Sequence, residues 1–422
     1  MRYYQFIFVF FIVFMACKKD NSTVDNQTEI INSSTDKDVK LLWTSSISDD
    51  GLTGGTFYNQ VYNDKLYVSG SKNGQAVIMA KDVNTGETQW EWSDWNEELQ
   101  SVSIRHPYLT DDNRFLAFSG LNYYDINTTD GSTNFKEYAD YFSFVFNTVV
   151  FGNSLYHVGI SQQSEEDNIL QAVYKRNLNT QELEEYLVPN YTGLTKSPFG
   201  EVGNIVRFSG FEYEGKSKLL LSIMEIDSTW HSKSYISLYD IESESWDYEM
   251  AELDYEFREN YSGSPIISGD YVYHTKGRLA ICHNVLTGEL IWKQNFGVGT
   301  GGEGFVVSED DNIMVVSTHS GERLTFGLDM TTGDIVWQTE TTGNNGQKYV
   351  LNGVVYFSSN GDGELHALDI ATGAYIWKIE SPDNSSNNWF KGVLTGIPGE
   401  NGEKGKIFAN SYLNAFCFEA AR

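Results

Sequence analysis

Residues 327–337 read GLDMTTGDIVW, and 40 residues further on 367–377 read ALDIATGAYIW. Each stretch follows an alternating apolar run and closes on a tryptophan. Leu328 and Asp329, or Leu368 and Asp369, end one strand; Thr-Gly makes a turn; Ile335 to Trp337, or Tyr375 to Trp377, open the next. A short hairpin loop needs a residue at positive φ, which Gly333 and Gly373 supply, while the aspartate can accept hydrogen bonds from the turn's own amides. A hairpin of this size is not stable alone and must stack on copies of itself. Two more copies are plain: AKDVNTGETQW at 80–90 and CHNVLTGELIW at 282–292.

The copies are periodic. Trp292 and Trp337 are 45 residues apart, Trp337 and Trp377 are 40, Trp43 and Trp90 are 47, and Trp246 and Trp292 are 46. Such a period belongs to a propeller or a similar array. The 156 residues between Trp90 and Trp246 hold three more periods, carried by weaker hairpins at 123–135, 174–186 and 239–246. The fold expected is all-β: an eight-bladed propeller of four-stranded antiparallel blades. The last blade has only three strands of its own, near 392–397, 406–409 and 413–418, so VKLLWTSS (39–46) is expected to supply the fourth and close the ring. Trp43, Trp90, Trp246, Trp292, Trp337 and Trp377 then fall once per blade on the outermost strand, as docking residues between blades. Asp82 with Gly86, Asp329 with Gly333 and Asp369 with Gly373 are read as turn residues, not as metal ligands.

The pattern A-x-D-x-x-T-G-x-x-x-W is strict at Ala80/Asp82/Thr85/Gly86/Trp90 and at Ala367/Asp369/Thr372/Gly373/Trp377. It resembles the tryptophan-docking repeat of the PQQ-like β-propellers, a family that includes quinoprotein alcohol dehydrogenases and the BamB type of outer-membrane assembly lipoprotein. Cys282 and Asn284 depart from it in the fifth blade, Gly327 departs in the sixth, and the second to fourth blades keep little beyond the hairpin.

At the N-terminus, residues 1–16 read as a secretory signal with an apolar core from Phe6 to Met15, too short to span a membrane as a helix. Phe14-Met15-Ala16-Cys17 resembles a bacterial lipobox, which implies lipidation of Cys17 and an outer-membrane anchor facing the periplasm or the cell surface. Residues 17–38 read as a polar, disordered tether, leaving 39–422 for the propeller. With 29 Lys and Arg against 58 Asp and Glu, the formal net charge is −29. A surface of that sign repels phosphate backbones, so nucleic-acid binding is disfavoured. Cys282 and Cys417 fall three blades apart and are expected to be buried free thiols.

Nucleophile elbows, HExxH and P-loops are absent from the sequence, and the seven histidines show no metal spacing of their own. Quinoprotein enzymes of the resembled family add an adjacent cysteine pair over the quinone, which this sequence lacks. The expected protein is therefore non-enzymatic, with no cofactor and no metal. It would be a monomeric, membrane-anchored scaffold for an envelope protein partner, in outer-membrane assembly by resemblance to the BamB type. The alternative is a surface lipoprotein that binds a glycan or peptide, with Trp92 and Trp95 as a stacking surface; a PQQ-dependent dehydrogenase stands third.

Overall fold

The computed structural model describes residues 29–32, 38–49, 59–96, 107–119, 121–138, 148–165, 168–197, 201–227, 232–253, 264–318, 323–342, 346–359, 361–383 and 389–422. Among them every regular element is a β-strand. Seven consecutive sheets each contain four antiparallel strands in chain order, and an eighth joins the two ends of the chain. The eight blades are arranged as a propeller. Cys17 and the signal-like segment lie outside the described residues, and no described helix is long and apolar enough to cross a membrane.

The closing blade follows the expected pairing. Strand Asp38–Ser46 lies antiparallel to Asn414–Glu419, with Trp43 opposite Cys417. Side-chain bonds then tie this closing blade to the first: Lys81 Nζ donates to Ser45 Oγ at 2.7 Å and to the Ser46 carbonyl at 3.0 Å, and Asn59 Nδ2 donates to the Phe408 carbonyl, on strand Lys406–Asn410, at 3.0 Å. One expectation is corrected here. The sequence reads as tether throughout 17–38, yet Glu29–Asn32 forms a fifth strand that pairs with the outer edge of Asp38–Ser46. An edge strand offers a row of unpaired amides and carbonyls, and a segment carrying two consecutive β-branched isoleucines, Ile30 and Ile31, is suited to take them.

Within each blade the two middle strands are buried on both faces. Residues 76–81 of Gln75–Asp82 are all buried, and so are residues 66–71 of Lys65–Lys72. The core therefore sits between blades rather than within one sheet. Tyr67, Ala80 and Trp90 of the first blade pack on Phe115, Ala117 and Tyr124 of the second. The four best repeats also share a β-bulge just before the tryptophan, between Ala80/Lys81, Cys282/His283, Gly327/Leu328 and Ala367/Leu368. A bulge bends the outer strand and re-aims the residue that follows it. That residue is the indole, which turns toward the next blade.

Candidate functional site

The joints between blades are built alike. Trp43 Nε1 donates to the Val83 carbonyl at 3.1 Å, Trp90 to Thr128 at 3.0 Å, Trp292 to Met330 at 2.9 Å and Trp337 to Ile370 at 2.7 Å, each time in the following blade. Under each indole lies a turn glycine at positive φ: Gly86 (74°), Gly131 (75°), Gly333 (77°) and Gly373 (70°). A Cβ on Gly373 would stand 2.3 Å from Trp337, so glycine is required both by conformation and by contact. The turn aspartates act on their own backbone. Asp82 accepts from the amides of Asn84 and Thr85 at 2.9 Å, Asp329 from Thr331 and Thr332 at 2.8 and 2.9 Å, and Asp369 from Thr372 at 2.9 Å. Trp377 is buried against Tyr356 with ring centroids 5.7 Å apart.

Trp246 is not the docking residue of the fourth blade. It is half-buried and packs edge-on against Tyr239 of its own sheet. Tyr248 stands opposite Leu238, and its hydroxyl donates to the Val285 carbonyl at 3.0 Å, the bond that the indoles make elsewhere. The signal was present in the sequence: the docking tryptophans follow the turn Asp or Asn by eight residues, as Tyr248 follows Asp240, whereas Trp246 follows by six. Between the second and third blades the joint is ionic. Fully buried Arg176 pairs with Glu137 and lies 4.6 Å over the Tyr123 ring.

Nor do Trp92 and Trp95 form a stacking surface. Trp92 is 3 % exposed, bonds Thr133 Oγ1 at 2.9 Å, and meets Trp95 and Tyr124 edge-on at 4.4 and 5.2 Å. Trp95 donates to the Ala76 carbonyl at 2.7 Å. The strand runs on past Trp90, and two residues further is the same face, so Trp92 turns into the seam between blades. Cys282 and Cys417 are free and buried, as expected.

Among the described residues three features remain that could engage another molecule. A cleft of about 540 Å³ opens at the inner strands of the fourth and fifth blades, lined by Phe211, Ile266 and Ile267 with the carboxylates of Glu212, Glu214, Asp270 and Glu309. Among the described residues no lysine or arginine lines it. On the outer rim, neighbouring strands Leu290–Asn295 and Ile335–Glu340 expose Leu290 (38 %), Ile291 (44 %), Ile335 (43 %) and Val336 (53 %). In the seventh blade, Asp362, Glu364 and His366 each bring one ligand-capable atom within 4.8 Å of the others. Burial, with the Asp362 carboxyl beside it, pushes Glu364 up, and burial pushes His366 down. Gly363, at φ 75°, turns the chain so that Asp362 and Glu364 meet His366 of the following strand, and the D-x-E-x-H spacing is one that a search among histidines alone passes over.

Residues 275–395, from the fifth blade into the eighth, match the family model described as outer membrane protein assembly factor BamB. Over that stretch the chain carries the PQQ-like repeat that the motifs resemble. No curated protein matches the chain in sequence. Among solved structures, it is similar to BamB from Moraxella catarrhalis (11% identity, TM-score 0.54, covering 86% of this chain and 96% of that one). It is also similar to the quinohemoprotein alcohol dehydrogenase ADHIIG from Pseudomonas putida HK5 (9% identity, TM-score 0.61, 91% and 76%) and to the computationally designed Ika8 protein (11% identity, TM-score 0.59, 86% and 96%). At such identities the likeness establishes the fold. An assembly factor, an oxidoreductase and a designed ring share it, so function has to be argued from the site.

Proposed function

We propose that the protein is a non-enzymatic, lipid-anchored envelope scaffold that holds a protein partner, and that its work lies in outer-membrane protein assembly. The observation that carries this reading is the pair of apolar steps on the outer strands of the fifth and sixth blades. Leu290 with Ile291, and Ile335 with Val336, lie exposed along free strand edges, within the stretch that matches the BamB model. Exposed apolar residues beside an unpaired edge are suited to a protein surface. Outer-membrane anchoring rests on the lipobox resemblance at Cys17.

The test is recovery of partners from detergent-solubilised envelope through a tag placed after Arg422. The expected result is capture of β-barrel assembly components, lost when Ile291→Lys and Val336→Lys are combined in a chain of unchanged Tm. Capture of a carbohydrate-uptake porin instead would overturn the assembly role.

A second reading, a surface lipoprotein that binds a peptide, is favoured by the acidic cleft. Four carboxylates around an apolar floor suit an extended segment bearing lysine or arginine.

A further inference from the structure

The turn residues 361–364 in the seventh blade lead into strand Leu365–Asp369 and carry Asp362 and Glu364; His366 follows inside the strand. His366 is fully buried, and both of its ring nitrogens face polar atoms of this cluster. Nδ1 lies 3.0 Å from Tyr375 Oη, which also reaches the Glu340 carbonyl at 3.3 Å, and Nε2 points at Asp362 Oδ1, 3.4 Å away. An orphan adjoins this contact. Asp362 Oδ2 is inaccessible to water and has no hydrogen-bond partner, with the Lys378 ammonium 3.6 Å away while bonded to Glu364. An orphaned carboxylate oxygen beside an imidazole nitrogen aimed at the same carboxyl is what a cation between them would resolve.

We propose that Asp362, Glu364 and His366 form a binding site for one divalent transition-metal ion of the zinc class. Two carboxylate oxygens and one imidazole nitrogen are a donor set for zinc or manganese, and the single nitrogen disfavours calcium, which takes an all-oxygen shell. Three protein ligands leave positions for water. Tyr375 holds the imidazole through Nδ1, the arrangement that orients a metal-bound histidine. Lys378, a quarter exposed, neutralises the carboxylates when the site is empty and turns to solvent when the ion enters.

The location gives the ion a structural consequence. Gly363, at φ 75°, lies against the ring of exposed Trp389, and the Phe390 amide donates to the Gly363 carbonyl at 2.9 Å. An ion held by this turn therefore fixes the joint between the seventh and eighth blades beneath an exposed indole.

The experiment uses the chain without a polyhistidine tag, stripped with chelator and desalted, then titrated with zinc chloride in a calorimeter and counted for bound zinc after gel filtration. One zinc per chain is expected, with a Tm that rises with zinc concentration. Glu364→Gln, on the turn, should weaken binding by about tenfold or more, His366→Gln should abolish it, and Lys378→Met should leave it intact or tighten it. Three outcomes each overturn the proposal: no retained zinc, which assigns the proton to Nε2 and makes the cluster a plain hydrogen-bond network; equal binding in Glu364→Gln and the parent; or calcium binding as tightly as zinc.

Discussion

Tyr248 donates its hydroxyl proton to the Val285 carbonyl at 3.0 Å, and so makes in the fourth blade the joint that tryptophans make in four others. Its role is separable from that of its neighbour. Tyr248→Phe should cost about 1 kcal/mol through one lost hydrogen bond, and Tyr248→Ala about 3 kcal/mol or more, because the ring fills the seam beside Ala251 and Gly288. Trp246→Ala, removing a half-buried ring, should cost less than Tyr248→Ala. Urea unfolding of the three variants checks the order, and a larger loss in Trp246→Ala would return the docking role to Trp246.

Gly373→Ala tests the turn. Its φ of 70° strains any L side chain, and the new methyl would stand 2.3 Å from Trp337, so a loss on the order of 2 kcal/mol is expected. Gly402→Ala shares the positive φ (85°) but meets open space, and should lose about 1 kcal/mol from conformation alone. Equal losses would mean that the glycine under the indole serves conformation only.

Buried imidazoles set the acid limb of stability. Burial, with Arg176 nearby, pushes His157 down to about 3, and burial pushes His283 down to about 4. Below about pH 6.5 the unfolded chain takes up protons that the folded one refuses, so stability falls as pH drops from about 6.5 toward 3. His157→Phe, set between the rings of Phe118 and Tyr174, should flatten that slope by about one proton. Denaturant midpoints measured across this range check it; an unchanged slope would show that His157 charges freely in the folded protein.

Thiol chemistry should be silent in the native state. Burial pushes Cys282 up to about 12 and Cys417 upward as well. In a chain beginning at Lys18, a thiol reagent should find no reactive cysteine in buffer and two in denaturant.

Much of this architecture was legible in the sequence, for a definable reason. The hairpin D/N-x-x-T-G-x-x-x-W states a turn, a conformation and a docking side chain in nine residues, and four copies fix the period of the ring. The second to fourth blades were legible only by spacing, because there the joint is made by other chemistry: Arg176 with Glu137, or Tyr248 in place of an indole. Trp92 misled because an aromatic cluster, W-E-W-S-D-W, looks the same in sequence whether it faces a seam or solvent. Asp362, Glu364 and His366 stand two residues apart in the sequence, but nothing there says that the turn at Gly363 gathers them, or that Tyr375, nine residues on, turns to meet His366. Contacts of that kind come from the strand pairing of the finished blade.

Ring closure by the N-terminal strand is the claim on which the eight-blade count rests, and Trp43 tests it most directly. The indole is 1 % exposed, bonds Val83, and covers Gly86 across the seam between the last blade and the first. Lys40, on the same strand, is exposed and pairs with Glu419 at 3.3 Å. The decisive measurement is the free energy of unfolding for Trp43→Ala beside Lys40→Ala. A loss of about 3 to 5 kcal/mol for the first and under about 1 kcal/mol for the second is the predicted result. A Trp43→Ala protein as stable as the parent would contradict it, since a ring closed by this strand cannot lose its buried indole without cost.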